Sequence, residues 1–109
     1  MKFTKISFTT RFTEQGQIYT TYRALEKIFG RPYFGPGEEA NPPTDGMLAR
    51  VTCQWRLRYE DGTVAIVYDD RQKTTNYAPY YWRVGGFSGR SFELVQQTIK
   101  EYNEQQKHK

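Results

Sequence analysis

Polar and apolar residues in positions 3–12 alternate, with Thr4, Ile6, Phe8, Thr10 and Phe12 on one side and Lys5, Ser7, Thr9 and Arg11 on the other. A period of two is that of a half-buried strand, and Gln15-Gly16 reads as its end. Over positions 18–29 the period changes: Ile18, Tyr22, Leu25 and Phe29 stand four, three and four apart, the spacing of one helix face. Thr20 or Thr21 supplies a cap, while Gly30 and Pro32 stop the helix. Alternation returns at Val51, Cys53, Trp55, Leu57 and Tyr59, interleaved with Thr52, Gln54, Arg56 and Arg58. Asp61-Gly62 then suits a two-residue hairpin loop. With Glu60 opposite Thr63, Tyr59 faces Val64, Leu57 faces Ile66 and Trp55 faces Tyr68, so apolar meets apolar. Arg56 then faces Val67, and Arg50, Arg56 and Arg58 line the second face.

Tyr80, Trp82 and Val84 predict a further strand with Tyr81 and Arg83 on its reverse. Phe92, Val95, Ile99 and Tyr102 predict a closing helix, with a frayed tail from about residue 103. Positions 31–45 hold four of the five prolines and read as a flexible loop. The expected architecture is a single two-layer α+β domain spanning 1–109, in the order β-α-β-β-β-α, its antiparallel sheet carrying both helices on one face. Trp55, Leu57, Ile66, Leu25, Phe29, Val95 and Ile99 are expected to form one apolar layer. On that assignment Trp55→Ala is expected to be costly and Arg56→Ala nearly silent.

Composition narrows the functional classes. Aromatic residues make up 17% of the 109 positions, which argues against disorder. No run approaches the roughly 20 apolar residues of a membrane span, and Met1-Lys2-Phe3 leads into no signal-peptide apolar stretch, so a soluble, cytoplasmic protein is expected. Cys53 is the sole cysteine and His108, in the polar tail, the sole histidine, which argues against a Cys/His dyad or a zinc site. Asp69 and Asp70 are adjacent and would point to opposite faces of a strand, a poor start for a metal or acid/base pair. Neither metal nor cofactor is expected, and no enzyme activity. The net charge of +4, from 16 basic and 12 acidic residues, suits nucleic acid, an acidic protein, or plain solubility.

Two stretches carry candidate binding chemistry. If the helices cover the Trp55 face, then Arg50, Arg56, Arg58, Tyr81, Arg83, Lys5 and Arg11 share the open one, where phosphates or acidic side chains would find charge and Tyr81 a stacking surface. Tyr77, Tyr80 and Tyr81 around Pro79 form an aromatic cluster suited to anchoring an interface or, as the plainer reading, to packing and loop bracing. The second stretch, YYWRVGGFSGRS, places glycines before a helix start, where Ser88, Arg90 and Ser91 would complete an anion site. It lacks the Walker lysine and a parallel βαβ context. We therefore read Gly85-Gly86 as a structural turn, Ser88 as a cap and Phe87 as packed beneath the helix, with anion binding as the lesser reading.

Phe29-Gly30-x-Pro32, Trp55 leading to Asp61-Gly62, Val67-Tyr68-Asp69, and Trp82 before Gly85-Gly86 together resemble a family of small phage-encoded accessory proteins over about residues 20–95. The Pro-rich loop and the second-strand arginines depart from that pattern. The resemblance implies a non-enzymatic phage protein that binds and inhibits a host macromolecule, such as a host-defence effector of the CRISPR type, whether a protein or a protein–nucleic acid complex. It transfers no catalytic residues. Two alternatives are a nucleic-acid or nucleotide binder using the arginine face or glycine turn, and a minor virion assembly factor.

Overall fold

The computed structural model describes residues 2–7, 12–36, 51–70 and 75–107. The chain is an α+β domain. Strands β1 (Phe3–Lys5), β2 (Thr13–Thr20), β3 (Gln54–Tyr59), β4 (Val64–Tyr68) and β5 (Tyr80–Gly86) form one antiparallel sheet in the order β1-β3-β4-β5-β2. Helices α1 (Tyr22–Phe29) and α2 (Gly89–Lys107) lie on one face. The expected order β-α-β-β-β-α holds with one strand added: β2 follows the predicted first strand before α1, and β1 and β2 occupy opposite edges of the sheet.

Gln15-Gly16 does not end a strand. It sits inside β2, next to a bulge between Glu14 and Gly16, and β2 continues to Thr20, so Ile18 belongs to a strand. Ile18 points inward just before α1 begins, which is why its spacing to Tyr22 mimics a helical step. Thr21 caps α1 by accepting from the Ala24 N–H at 3.1 Å. A helix of eight residues is too short to persist alone. Trp55 holds its far end, donating its indole N–H to the Gly30 carbonyl at 2.8 Å.

The β3–β4 hairpin differs from the two-residue reading. Gly62 N–H donates to Tyr59 O and Tyr59 N–H to Thr63 O, both at 2.9 Å, so the loop is Glu60-Asp61-Gly62. Gly62 adopts φ +88°, the left-handed position of a three-residue loop with a glycine bulge. Asp61 braces it by accepting from Thr63 N–H at 2.9 Å, and those Thr63 hydrogen bonds hold its carboxyl below the usual range. One extra loop residue moves the register by one. Trp55 therefore pairs with Val67, Arg56 with Ile66 and Leu57 with Ala65, not with Tyr68, Val67 and Ile66 as the hairpin pattern suggested.

The core beneath the helices contains Trp55, Leu57, Tyr59, Ala65, Val67, Trp82 and Val84 from the sheet, with Leu25, Phe29, Leu94 and Val95 from the helices. Ile99 packs against it only partly buried, and Ile66 leaves it for the opposite face. Tyr59 ties sheet to helix: its hydroxyl lies 2.8 Å from the Thr98 hydroxyl and donates to Leu94 O at 3.3 Å. Burial pushes that phenol up to about 12.

Gly85 and Gly86 are strand residues, not a turn. A Cβ on Gly86 would collide with the Ser91 side chain of α2, and one on Gly85 with the Phe12 ring on the other face. Both glycines are there for close approach, one to each layer. Phe87 is exposed and does not pack under the helix, whereas Ser88 caps α2 by accepting from Arg90 N–H at 3.3 Å.

Candidate binding face

The shifted register rebuilds the helix-free face. Gln54, Arg56 and Arg58 of β3 now share it with Val64, Ile66 and Tyr68 of β4 and with Tyr81 and Arg83 of β5. It is half apolar, and part of it is covered. Phe12 lies over Gly85 with its ring 5.5 Å from that of Tyr68, and the segment at Tyr33-Phe34 pairs with Gln54. Ile66 and Gln54 are fully buried.

Arg56 is the largest departure from the expected open arginine row. It is 2% exposed, with the Tyr33 ring stacked 4.0 Å from its guanidinium carbon. Nε donates to Gln54 Oε1 at 2.6 Å and Nη1 to Ser7 O at 2.9 Å. A guanidinium fixed in this way is a structural member. Arg83 is also engaged: Nε meets Glu14 at 3.2 Å, and Nη1 donates to Tyr81 O. Arg58 remains exposed beside Thr4. Lys5 shares its side with Phe3, toward the helices, where Nζ donates to Arg31 O at 3.1 Å. Arg50, Arg11 and most of the Pro-rich loop lie outside the described residues.

Tyr81 acquires a partner that the sequence pattern concealed. Tyr19 faces it across β2 and β5, the ring centroids 4.7 Å apart, and the two are 63% and 56% exposed. Read as part of a helix, Tyr19 had no assigned face; in a strand it stands one step from the inward Ile18 and must point away from the core. The pair forms an aromatic ledge at the edge of the helix-free face, next to Arg83 and Gln17.

Tyr77 does not join this ledge. It packs edge-on against Tyr22 of α1 at 5.1 Å, with the Arg23 guanidinium 5.5 Å from its ring, so it belongs to the helical side. At the start of α2, Arg90 pairs with Asp61 at 3.3 Å and with Glu93 at 3.7 Å, and buried Ser91 donates to Val64 O at 2.6 Å. These groups serve internal contacts where an anion had been considered.

Asp69 is buried beside β3. Its carboxylate accepts from Thr52 N–H at 2.7 Å, from Cys53 N–H at 3.2 Å and from the Thr52 hydroxyl, which lies 3.0 Å from that of Thr75. Burial raises its pKa, and the hydrogen bonds from Thr52 and Cys53 oppose that rise. Its geometry is that of a clasp joining the approach to β3 with the exit from β4. Among the described residues, no group of His, Cys, Asp and Glu is arranged to hold a metal ion, and no helix is long and apolar enough to cross a membrane.

Comparison with protein-family models, with curated proteins and with solved structures returns no match for this chain.

Proposed function

We propose that this protein acts by binding, as a phage accessory protein that engages and inhibits a host protein such as a component of a CRISPR-type defence complex, and that the Tyr19–Tyr81 ledge is its contact. The carrying observation is that pair. Two adjoining tyrosines, their rings in contact at a tilt of 47° and each more than half exposed on the sheet, offer large apolar area with little side-chain entropy left to lose. The resemblance to small phage proteins supports the choice of host target. A protein partner is favoured over nucleic acid because Arg56 is enclosed and Arg83 is paired with Glu14, so that of the predicted arginine row these two offer no free cation beside the rings.

The test compares wild type with a Tyr19→Ala/Tyr81→Ala double variant in a CRISPR-immune host challenged with phage. Wild type restores plaques and captures the effector from nuclease-treated lysate. The folded double variant does neither, because losing a hot spot of about 2 kcal/mol weakens Kd roughly 30-fold. An immune host left fully protected by the wild-type protein would overturn the target, and capture lost on nuclease treatment or falling steeply with salt would transfer the ledge to nucleic acid.

A further inference from the structure

The two edges of the sheet are unlike. β1 has three residues, contains Lys5 and follows Lys2, so it is short and charged in the manner of a protected edge. β2 at the other edge is the longest strand, eight residues with no Pro, Lys or Arg. Its one charge, Glu14, is neutralised by Arg83. Past the bulge, Gly16–Thr20 is regular, and among the described residues the only backbone partner of this stretch is β5. Alongside runs a groove of about 570 Å³ between β2 and α2, with Ile18 and Ile99 in it, Gln17 and Gln96 at one end, and the charged side chains of Lys100, Glu104 and Lys107 toward the other.

We propose that a second copy of this chain occupies this edge, β2 pairing antiparallel with β2 about a twofold axis near Gln17. Such an axis stands perpendicular to the sheet, so it continues five strands into ten and keeps both copies of α2 on one face. The apolar groups match themselves under this operation. The ring of Phe92 lies on Gly16, where a Cβ would stand 2.6 Å from it, which fixes the level of α2 against β2. With a rise of about 1.5 Å per helical residue and about 3.3 Å per strand residue, Gln17 is level with the stretch around Val95. Phe92 and Ile99 stand on either side of that point, about 3 Å and about 7 Å from it along the helix, and lie on the same side of α2, seven residues apart. The axis therefore brings Phe92 of one copy toward Ile99 of the other, twice, and fills each groove with its symmetry mate. The strand itself carries no unbalanced charge, and on the α2 side Glu104 stands between Lys100 and Lys107, so the charged part of the contact lies toward the C-terminal end of α2, away from the axis. The ledges of both copies remain on the opposite face, and the inference does not depend on what they bind.

Sedimentation of the full chain tests it. The mass should rise from 12.9 kDa toward twice that value with concentration. Gln17→Cys, at the axis, should give a covalent dimer under mild oxidation, whereas Lys27→Cys, exposed on α1, should not. Gln96→Arg, an exposed change that sets two cations across the axis, should shift the protein to monomer with its circular dichroism unchanged. A monomer mass at every concentration overturns the proposal and leaves the edge for a strand of another protein. A dimer that ignores Gln96→Arg and does not cross-link through Gln17→Cys overturns it by placing the contact elsewhere.

Discussion

Arg56 illustrates how one residue's role depends on what the rest of the chain packs over it. Alternation put it on the face away from Trp55, and that is where it lies. Enclosure came from Tyr33, Ser7 and Gln54, whose approach no local pattern encodes. The expectation that Arg56→Ala is silent therefore reverses. We predict a loss of about 2–3 kcal/mol, because Gln54 Oε1 and Ser7 O are left without their donor, against about 0.5 kcal/mol or less for exposed Arg58→Ala; urea unfolding of the two variants checks this. Asp69 gives a pH-dependent counterpart. Its folded pKa is raised above the unfolded value of about 3.9, so the folded state holds the proton more tightly. The resulting stabilisation is complete below the unfolded pKa and is lost as pH rises through the folded one. Wild type should accordingly lose stability relative to Asp69→Asn over the range upward from about pH 4, and equal slopes for both proteins in urea midpoints would contradict that assignment.

Among the elements, both helices, the β3–β4 hairpin and the strand at Tyr80–Val84 were legible, since periodicity depends only on which side of an element faces the core. Two features were not. Asp-Gly serves loops of two and three residues alike, so the hairpin left its register open by one position. Gly16 looks like a terminator when its actual service, room for the Phe92 ring, comes from a helix more than seventy residues away. Gly86 follows the same logic and provides a test. Gly86→Ala should destabilise by roughly 1–3 kcal/mol, as overpacking does, because Ser91 is anchored to Val64 O and cannot withdraw cheaply. A thermal scan showing an unchanged or higher Tm would mean that α2 shifts to admit the methyl.

For the whole molecule, the legible part was the α+β layering, and the part hidden was that the helix-free face of the sheet is itself partly covered. Once Ile66 and Tyr68 cross to the arginine face, that face becomes a second packing surface, and the free aromatic area retreats to the edge at Tyr19 and Tyr81. Of the residues that alternation assigned to the open face, Arg56, Arg58, Tyr81 and Arg83 lie on the expected side and Lys5 on the other; Arg58 and Tyr81 are exposed whereas Arg56 is enclosed, since access depends on segments distant in the chain. The shifted register also has an optical outcome. Trp55 on β3 and Trp82 on β5 meet across the intervening β4, their rings 5.7 Å apart and inclined at 70°. Indoles so near and so inclined couple their electronic transitions, and the coupling exists only while three strands stand in order. A paired positive and negative band in far-ultraviolet circular dichroism should accompany the folded protein and disappear in Trp82→Phe, giving refolding experiments a signal for the central sheet that is separate from the helical one.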